Sequence, residues 1–241
     1  MNIRRPRMLL WIPATLAASV LQVARNGLQR SLLPKSGPWA ATLVRFLFGL
    51  PFSLVAALGL YAVTPGAAVH LSGGFWLDAS TGAFTQVLAT ACLLVAMRRA
   101  GFAVGTSMQQ SSLPLAAVLG LIVFKDQLSA VAWTGVALTS AALLVLTWPR
   151  QGAAGPQPVS GGVFGLLSGL CFGYSLNAYR QAGLAMDAHH ALFAAAATVT
   201  ATQAMQSVGL GLVLAAWDRD ALRSVFAAWR QSLGAGCSRK S

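Results

Sequence analysis

The side chains able to do chemistry are few and scattered. The chain has no glutamate, and its five acids are Asp78, Asp126, Asp187, Asp218 and Asp220. Its histidines are His70, His189 and His190, its cysteines Cys92, Cys171 and Cys237, and its lysines Lys35, Lys125 and Lys240. Nucleophilic catalysis needs a nucleophile, a base and a group that orients the base. His70 stands alone in a glycine-rich stretch and His189-His190 have only Asp187 nearby, so no such constellation emerges. The cysteines form no C-x-x-C and have no histidine at ligand spacing, which argues against a zinc site. Their odd number argues against a disulfide framework. No phosphate-binding or dinucleotide motif is present. A retinal Schiff base would need a lysine in the last apolar run, which has none. The chain is therefore not expected to be an enzyme, and neither a cofactor nor a metal is expected.

What remains is a set of polar side chains inside apolar runs: Gln22, Asn26, Arg45, Gln86, Gln109, Gln110, Tyr174 and Asn177, with Gln203 beside them. Polar groups are costly in hydrocarbon and mark substrate pathways by default. The competing reading is interhelical hydrogen bonding, worth about 0.6 kcal/mol on average. Arg45 and Arg25 are the only Lys or Arg inside the runs, and Arg25 stands in the last turn of the first. Arg45 is either a cavity charge, or a side chain that snorkels to the interface or holds a structural partner. Gly165-x-x-x-Gly169 reads as close helix packing.

The apolar runs that carry these residues decide the class. Only 9% of the 241 residues are charged and 56% are hydrophobic, whereas soluble domains carry about 25% charge. The mean hydropathy is +0.65. The expectation is an all-α integral membrane protein whose partner is the lipid bilayer. The net charge of +12 could suggest nucleic acid, but the basic residues cluster at the ends of apolar runs, where phospholipid head groups lie. No nucleic acid partner is expected.

The organising stretch is 102–148: FAVGTSMQQSSLPLAAVLGLIVF, then KDQLS, then AVAWTGVALTSAALLVLTW. Each run is near the about 20 residues that cross a bilayer, so the pair predicts an antiparallel hairpin with Lys125 and Asp126 in water. Further spans are expected at 8–28, 39–63, 83–97 (starting as early as 75), 161–178 and 191–217, seven in all. Arg4, Arg5 and Arg7 precede an uncleaved first helix. The Gly/Ser/Thr-rich stretch 64–82 reads as a loop, and 149–160, with three prolines, as a linker. In the tail, Leu222, Val225, Phe226 and Trp229 recur at helical spacing opposite Arg219, Arg223 and Arg230, which predicts an interfacial helix.

Sliding the chain by 151 positions lays LQVARNGLQR (21–30) over FGYSLNAYRQ (172–181) and places Asn26 on Asn177. An odd number of spans per repeat inverts the second half, as in many secondary transporters. The expected organisation is a five-span repeat at 1–149, a linker at 150–160, and two spans with the amphipathic tail at 161–241.

Pro114, Asp126, Leu128-Ser129, Trp133 and Gly135, in that order around the hairpin, resemble the end of an EamA-type repeat of the drug/metabolite transporter superfamily. That family usually has glutamate at the position of Asp126. WIPATLAASVLQVARNGLQRSL, ATLVRFLFGLPFSL and AFTQVLATACLLVAMRRAGFAVGT are similar to consecutive pieces of one bacterial subgroup. The resemblance implies a multi-pass carrier in the bacterial inner membrane, moving a small metabolite bound between two inverted repeats. It also implies ten spans, so the second repeat is expected to lack its last three and the chain to be a fragment, a truncation that leaves its transport activity open. The alternative is a non-transporting membrane scaffold or assembly partner; a homo-oligomer is left open. The resemblance implies a cytoplasmic N-terminus, whereas the count of basic residues favours the reverse; three arginines before the first helix decide for the cytoplasm.

Overall fold

The computed structural model describes residues 11–147, 159–223 and 225. They form α1 (Trp11–Val63), α2 (Gly73–Ala100), α3 (Phe102–Gln109), α4 (Ser112–Ile122), α5 (Ala130–Thr147), α6 (Val159–Met186) and α7 (Ala191–Trp217), with no strand among the described residues. Four helices are long and apolar enough to cross a membrane: Gly37–Val63 within α1, α2, α6 and α7. Most of the expected linker, and Phe226, Trp229 and Arg230 of the expected tail helix, lie outside the described residues.

α1 contains the first two expected spans and breaks between them at Gly37 (φ 72, ψ 173). Glycine takes this left-handed φ without a Cβ penalty, and Pro38 behind it has no amide to continue the ladder. The first segment returns alongside the bundle, where the Asn26 amide donates to Gln109 Oε1 at 3.3 Å. α2 starts at Gly73, so residues 73–82 are helix and not the expected loop. Ser72 caps it by accepting the Phe75 amide at 3.1 Å. Phe75 and Ala79 are fully buried with Ala182 and Met186 of α6, and this contact outweighs the weak helix propensity of the Gly/Ser/Thr stretch. α2 ends at Gly101 (φ 86), with Arg98 and Arg99 in its last turn complementing the helix dipole.

The run expected as one span after Gly101 is divided into α3 and α4. Pro114 lacks the amide that would bond Gln110 O, and Leu113 N–H takes that carbonyl at 3.2 Å instead. The polar run Gln109-Gln110-Ser111-Ser112 lies at the break. α6 continues past Ala178 to Met186, so Arg180 lies inside the helix and does not close it.

The most extensive packing is α2 against α6, with α3 and α4 on the same partner. α6 meets them with Gly161, Gly165, Gly169 and Gly173, four residues apart on one face. A Cβ at Gly161 or Gly169 would overlap Ala100 or Ser111. One at Gly165 would stand 2.5 Å from Met108 Cβ, and one at Gly173 2.9 Å from the Ala116 backbone nitrogen. The expected Gly165–Gly169 packing is thus half of a longer stripe. Ser168 on this side donates to Ala89 O of α2 at 2.8 Å. On the other flank, Ala40, Leu43, Leu210 and Leu214 join α1 to α7, and Val225 and Leu222 of the tail pack there too. The outward faces are apolar, with Phe52, Val131 and Trp217 largely exposed, as lipid-facing positions would be.

At one end of the bundle Asp187 ties two loops together. Its carboxylate accepts from Ala68 N–H (3.1 Å), His189 N–H (3.0 Å), His190 N–H (3.1 Å) and His190 Nδ1 (2.8 Å). The Ala68 amide first, then the His190 ring and the His190 and His189 amides, hold the carboxyl well below the usual carboxylate range against the opposing effect of burial.

Gly173→Ala is expected to destabilise by about 1–3 kcal/mol, because the obstacle is backbone, while Gly162→Ala, with nothing within 4 Å of its Cβ, should be near neutral; unfolding midpoints in detergent check the pair. Because the Asp187 carboxyl is depressed in the folded protein, its contribution is complete above the ordinary carboxylate pKa and is lost as pH falls through the folded value. Melting temperature should therefore hold down to about pH 4 and fall below it, and Asp187→Asn should lower the neutral-pH melting temperature and flatten that acid limb.

Candidate functional site

Two polar loci stand inside the apolar framework. The first joins α1, α2, α6 and α7. The Gln206 amide donates to Ala83 O at 3.1 Å, to Gln86 Oε1 at 2.9 Å and to the Tyr179 hydroxyl at 2.8 Å. Tyr179 in turn donates to Gln86. One turn further along α2, Thr90 donates to Gln86 O (2.9 Å) and accepts from Arg45 Nη1 (3.0 Å). The Arg45 guanidinium lies 5.5 Å and 5.6 Å from the ring centroids of Phe46 and Phe172, within cation–π range. Gly82 leaves the room that the Tyr179 ring fills: a Cβ there would be 2.7 Å from the ring. Beside this locus, Ser53 donates to Gln203 at 2.7 Å, joining α1 to α7.

The second locus is the α3–α4 break. Eight residues of α3 place it about 12 Å from the Gly101 end at 1.5 Å per residue, well inside the span of the neighbouring α2 and α6. Gln109 is buried and holds Asn26. Ser111 donates its hydroxyl to Met108 O at 2.6 Å, a carbonyl that also accepts the Ser111 N–H at 3.1 Å. Asn177 donates to Ala116 O of α4 at 2.8 Å and to Gly173 O at 3.1 Å. At the far end of α4, Asp126 pairs with Arg180, which ties the α4–α5 turn to α6. Lys125 beside it takes φ 56, an uncommon conformation for a side-chain-bearing residue.

The residues singled out by sequence are divided between these loci. Arg45 and Gln86 meet in the first. Asn26 and Gln109 bond each other in the second, and Asn177 reaches the same broken helix. Gln110 is exposed at the break and Gln22 is half-buried on the first segment of α1. Tyr174 lies apart, packed on Phe124 (5.6 Å between centroids) over a groove with Ser80, Thr81, Phe84 and Thr85. Tyr179, Gln206 and the Asp126–Arg180 pair escape the sequence reading. One signal existed: Thr198, Thr202 and Gln206 recur every four residues, a buried polar stripe on one face of α7. No group of three or more His, Cys, Asp or Glu residues able to hold a metal ion occurs among the described residues.

A double-mutant cycle of Tyr179→Phe with Gln206→Leu should return a coupling of about 0.6 kcal/mol, with about 1.7 kcal/mol as its ceiling, the range of interhelical hydrogen bonds in membranes. Unfolding midpoints of the four proteins read it, and zero coupling would make the two contacts incidental. No protein-family profile, no curated protein and no solved structure matches the chain.

Proposed function

We propose that this chain is a multi-pass secondary carrier of the EamA type, moving a small polar metabolite across a bacterial inner membrane. The observation that carries the reading is the polar break between α3 and α4. Gln110 and Ser111 keep helical dihedrals there while the ladder tightens to three-residue bonds, Ser111 N–H to Met108 O at 3.1 Å and Leu113 N–H to Gln110 O at 3.2 Å, and transporters use discontinuous helices as binding sites. Here the break presents amides and hydroxyls from Gln109, Gln110, Ser111 and Ser112, backed by α6.

The repeat proposal is supported by the same place. Asn26 and Asn177, which the offset of 151 superposes, each donate a hydrogen bond to the α3–α4 unit. Under the same offset, the first segment of α1 falls on α6 and Gly37–Val63 on α7. In this reading the seven expected spans are the two segments of α1, α2, the α3–α4 unit, α5, α6 and α7, with repeats at 1–149 and 161–241, and the cargo lies where they meet.

Reconstituted in proteoliposomes and offered a labelled panel of amino acids, nucleobases and organic acids, the protein should give saturable, counterflow-stimulated uptake of at least one compound. Gln109→Ala combined with Asn26→Ala should cut that uptake by about tenfold or more, in line with the loss of about two hydrogen bonds from one site. Uptake no different from empty liposomes across the panel would overturn the reading.

A further inference from the structure

α1 joins two unequal segments at Gly37. Beyond it, Ala40, Leu43 and Phe46 are buried within the bundle. Before it, Asn26 is the one buried residue among those whose side chains are described, while Leu16, Val20, Leu21 and Val23 are each more than half exposed. Gly37 holds φ 72, ψ 173, a region open essentially to glycine alone. A Cβ there would meet nothing within 4 Å, and Pro38 contributes no amide to carry the ladder across.

Ala41 packs with Met97, and Phe102 lies against the same cluster, so Gly37 and Gly101 stand at one end of the bundle. From that end the first segment runs inward to the α3–α4 break, where Asn26 donates to Gln109 Oε1 at 3.3 Å. Gln109 is buried at this contact. The seal is poor, however, because Asn26 Oδ1 is enclosed there without a hydrogen-bond partner. Closing over an unpaired acceptor weakens the closed arrangement by about 5- to 150-fold in its equilibrium, against about fivefold gained from one neutral hydrogen bond. A small swing that lets water into the contact gives the oxygen a partner.

We infer that the first segment of α1 is a hinged cover over the α3–α4 break, pivoting at Gly37 and held shut by the Asn26–Gln109 bond. Its purpose rests on the carrier reading, in which the break holds the cargo. Its motion does not, and is measured without cargo or uptake, so either can fail while the other stands.

Val20 stands 17 residues before Gly37, about 25 Å from the pivot, and a rotation of about 20° would move it by about 9 Å. Nitroxide labels are placed on Val20→Cys and Leu212→Cys, both exposed, in the full chain with Cys92, Cys171 and Cys237 replaced by alanine. Their separation is measured in nanodiscs by double electron–electron resonance. A second pair, Leu176→Cys with Leu212→Cys, reports the frame of α6 and α7. The first pair should show two distances, one closed and one displaced. Gln109→Leu, which strands both polar atoms of Asn26 when shut, should raise the ratio of displaced to closed by about fivefold or more. Asn26→Leu together with Gln109→Leu leaves no polar group to strand and should return the ratio to the unmodified value or below it. Gly37→Ala, strained by its φ alone, should make the displaced distance the major one. The frame pair should stay unchanged throughout. A single distance for the first pair, shared by the unmodified protein and the three variants, would overturn the proposal, as would a double variant more displaced than Gln109→Leu alone. So would a frame pair that moves with the first segment, because the contact would then belong to the fold of the whole bundle.

Discussion

Everything in this bundle depends on how closely α2, α3 and α4 approach one face of α6. Apolar side chains gain little by leaving lipid for one another, so helix association in a membrane rests on close packing and hydrogen bonds. Gly161, Gly165, Gly169 and Gly173 supply the first, by removing every Cβ that would hold the partners away. Ser168 and Asn177 supply the second, bonding backbone carbonyls of α2 and α4 that the close approach brings within reach. The approach also lets the α3–α4 discontinuity exist. The break keeps its backbone paired through three-residue bonds, Ser111 N–H to Met108 O and Leu113 N–H to Gln110 O, and it lies against the glycine-lined backbone of α6.

α6 distributes its polar contacts by helical geometry. At 100° per residue, Asn177, Tyr179 and Arg180 point in different directions. Asn177 reaches α4, Tyr179 reaches Gln86 and Gln206 on α2 and α7, and Arg180 reaches Asp126 beyond α4. One helix thereby holds three neighbours, and Asn177, four residues beyond Gly173, continues the close-packed stripe onto α4. The opposing stripe on α7, Thr198, Thr202 and Gln206, completes the interior with hydroxyls and an amide instead of charges.

Much of this was legible in the sequence where the signal is local. Composition and run length point to a helical chain with segments apolar enough to span a membrane, the gap between the runs 8–28 and 39–63 contains the break in α1, and the gap between 161–178 and 191–217 contains the turn before α7. What was illegible depends on contacts distant along the chain. Residues 73–82 have loop-like composition and become helix because Phe75 and Ala79 are buried on Ala182 and Met186. The 102–124 run is long enough for one span, and its division is set by Pro114 acting on a polar stretch that hydropathy averages away. Tyr179 bonds Gln86 across 93 positions and Arg180 pairs with Asp126 across 54, separations that carry no periodic trace.

The same contacts decide what kind of chemistry the helix break can offer. Arg45 stands eight residues beyond Gly37, about 12 Å along the helix, within reach of an interface for so long a side chain. Its guanidinium turns inward instead, to the Thr90 hydroxyl and the faces of Phe46 and Phe172, where cation–π attraction contributes about 0.5–2 kcal/mol per ring. Arg180 is drawn to Asp126, and Asp187 is enclosed by its loop amides and His190. Each of these charges is thus held at a site of its own, and the α3–α4 break is built from Asn26, Gln109, Gln110 and Ser111, all neutral. A molecule bound there, as proposed, would meet donors and acceptors with no fixed counter-charge, so its recognition would rest on hydrogen-bond geometry and not on net charge.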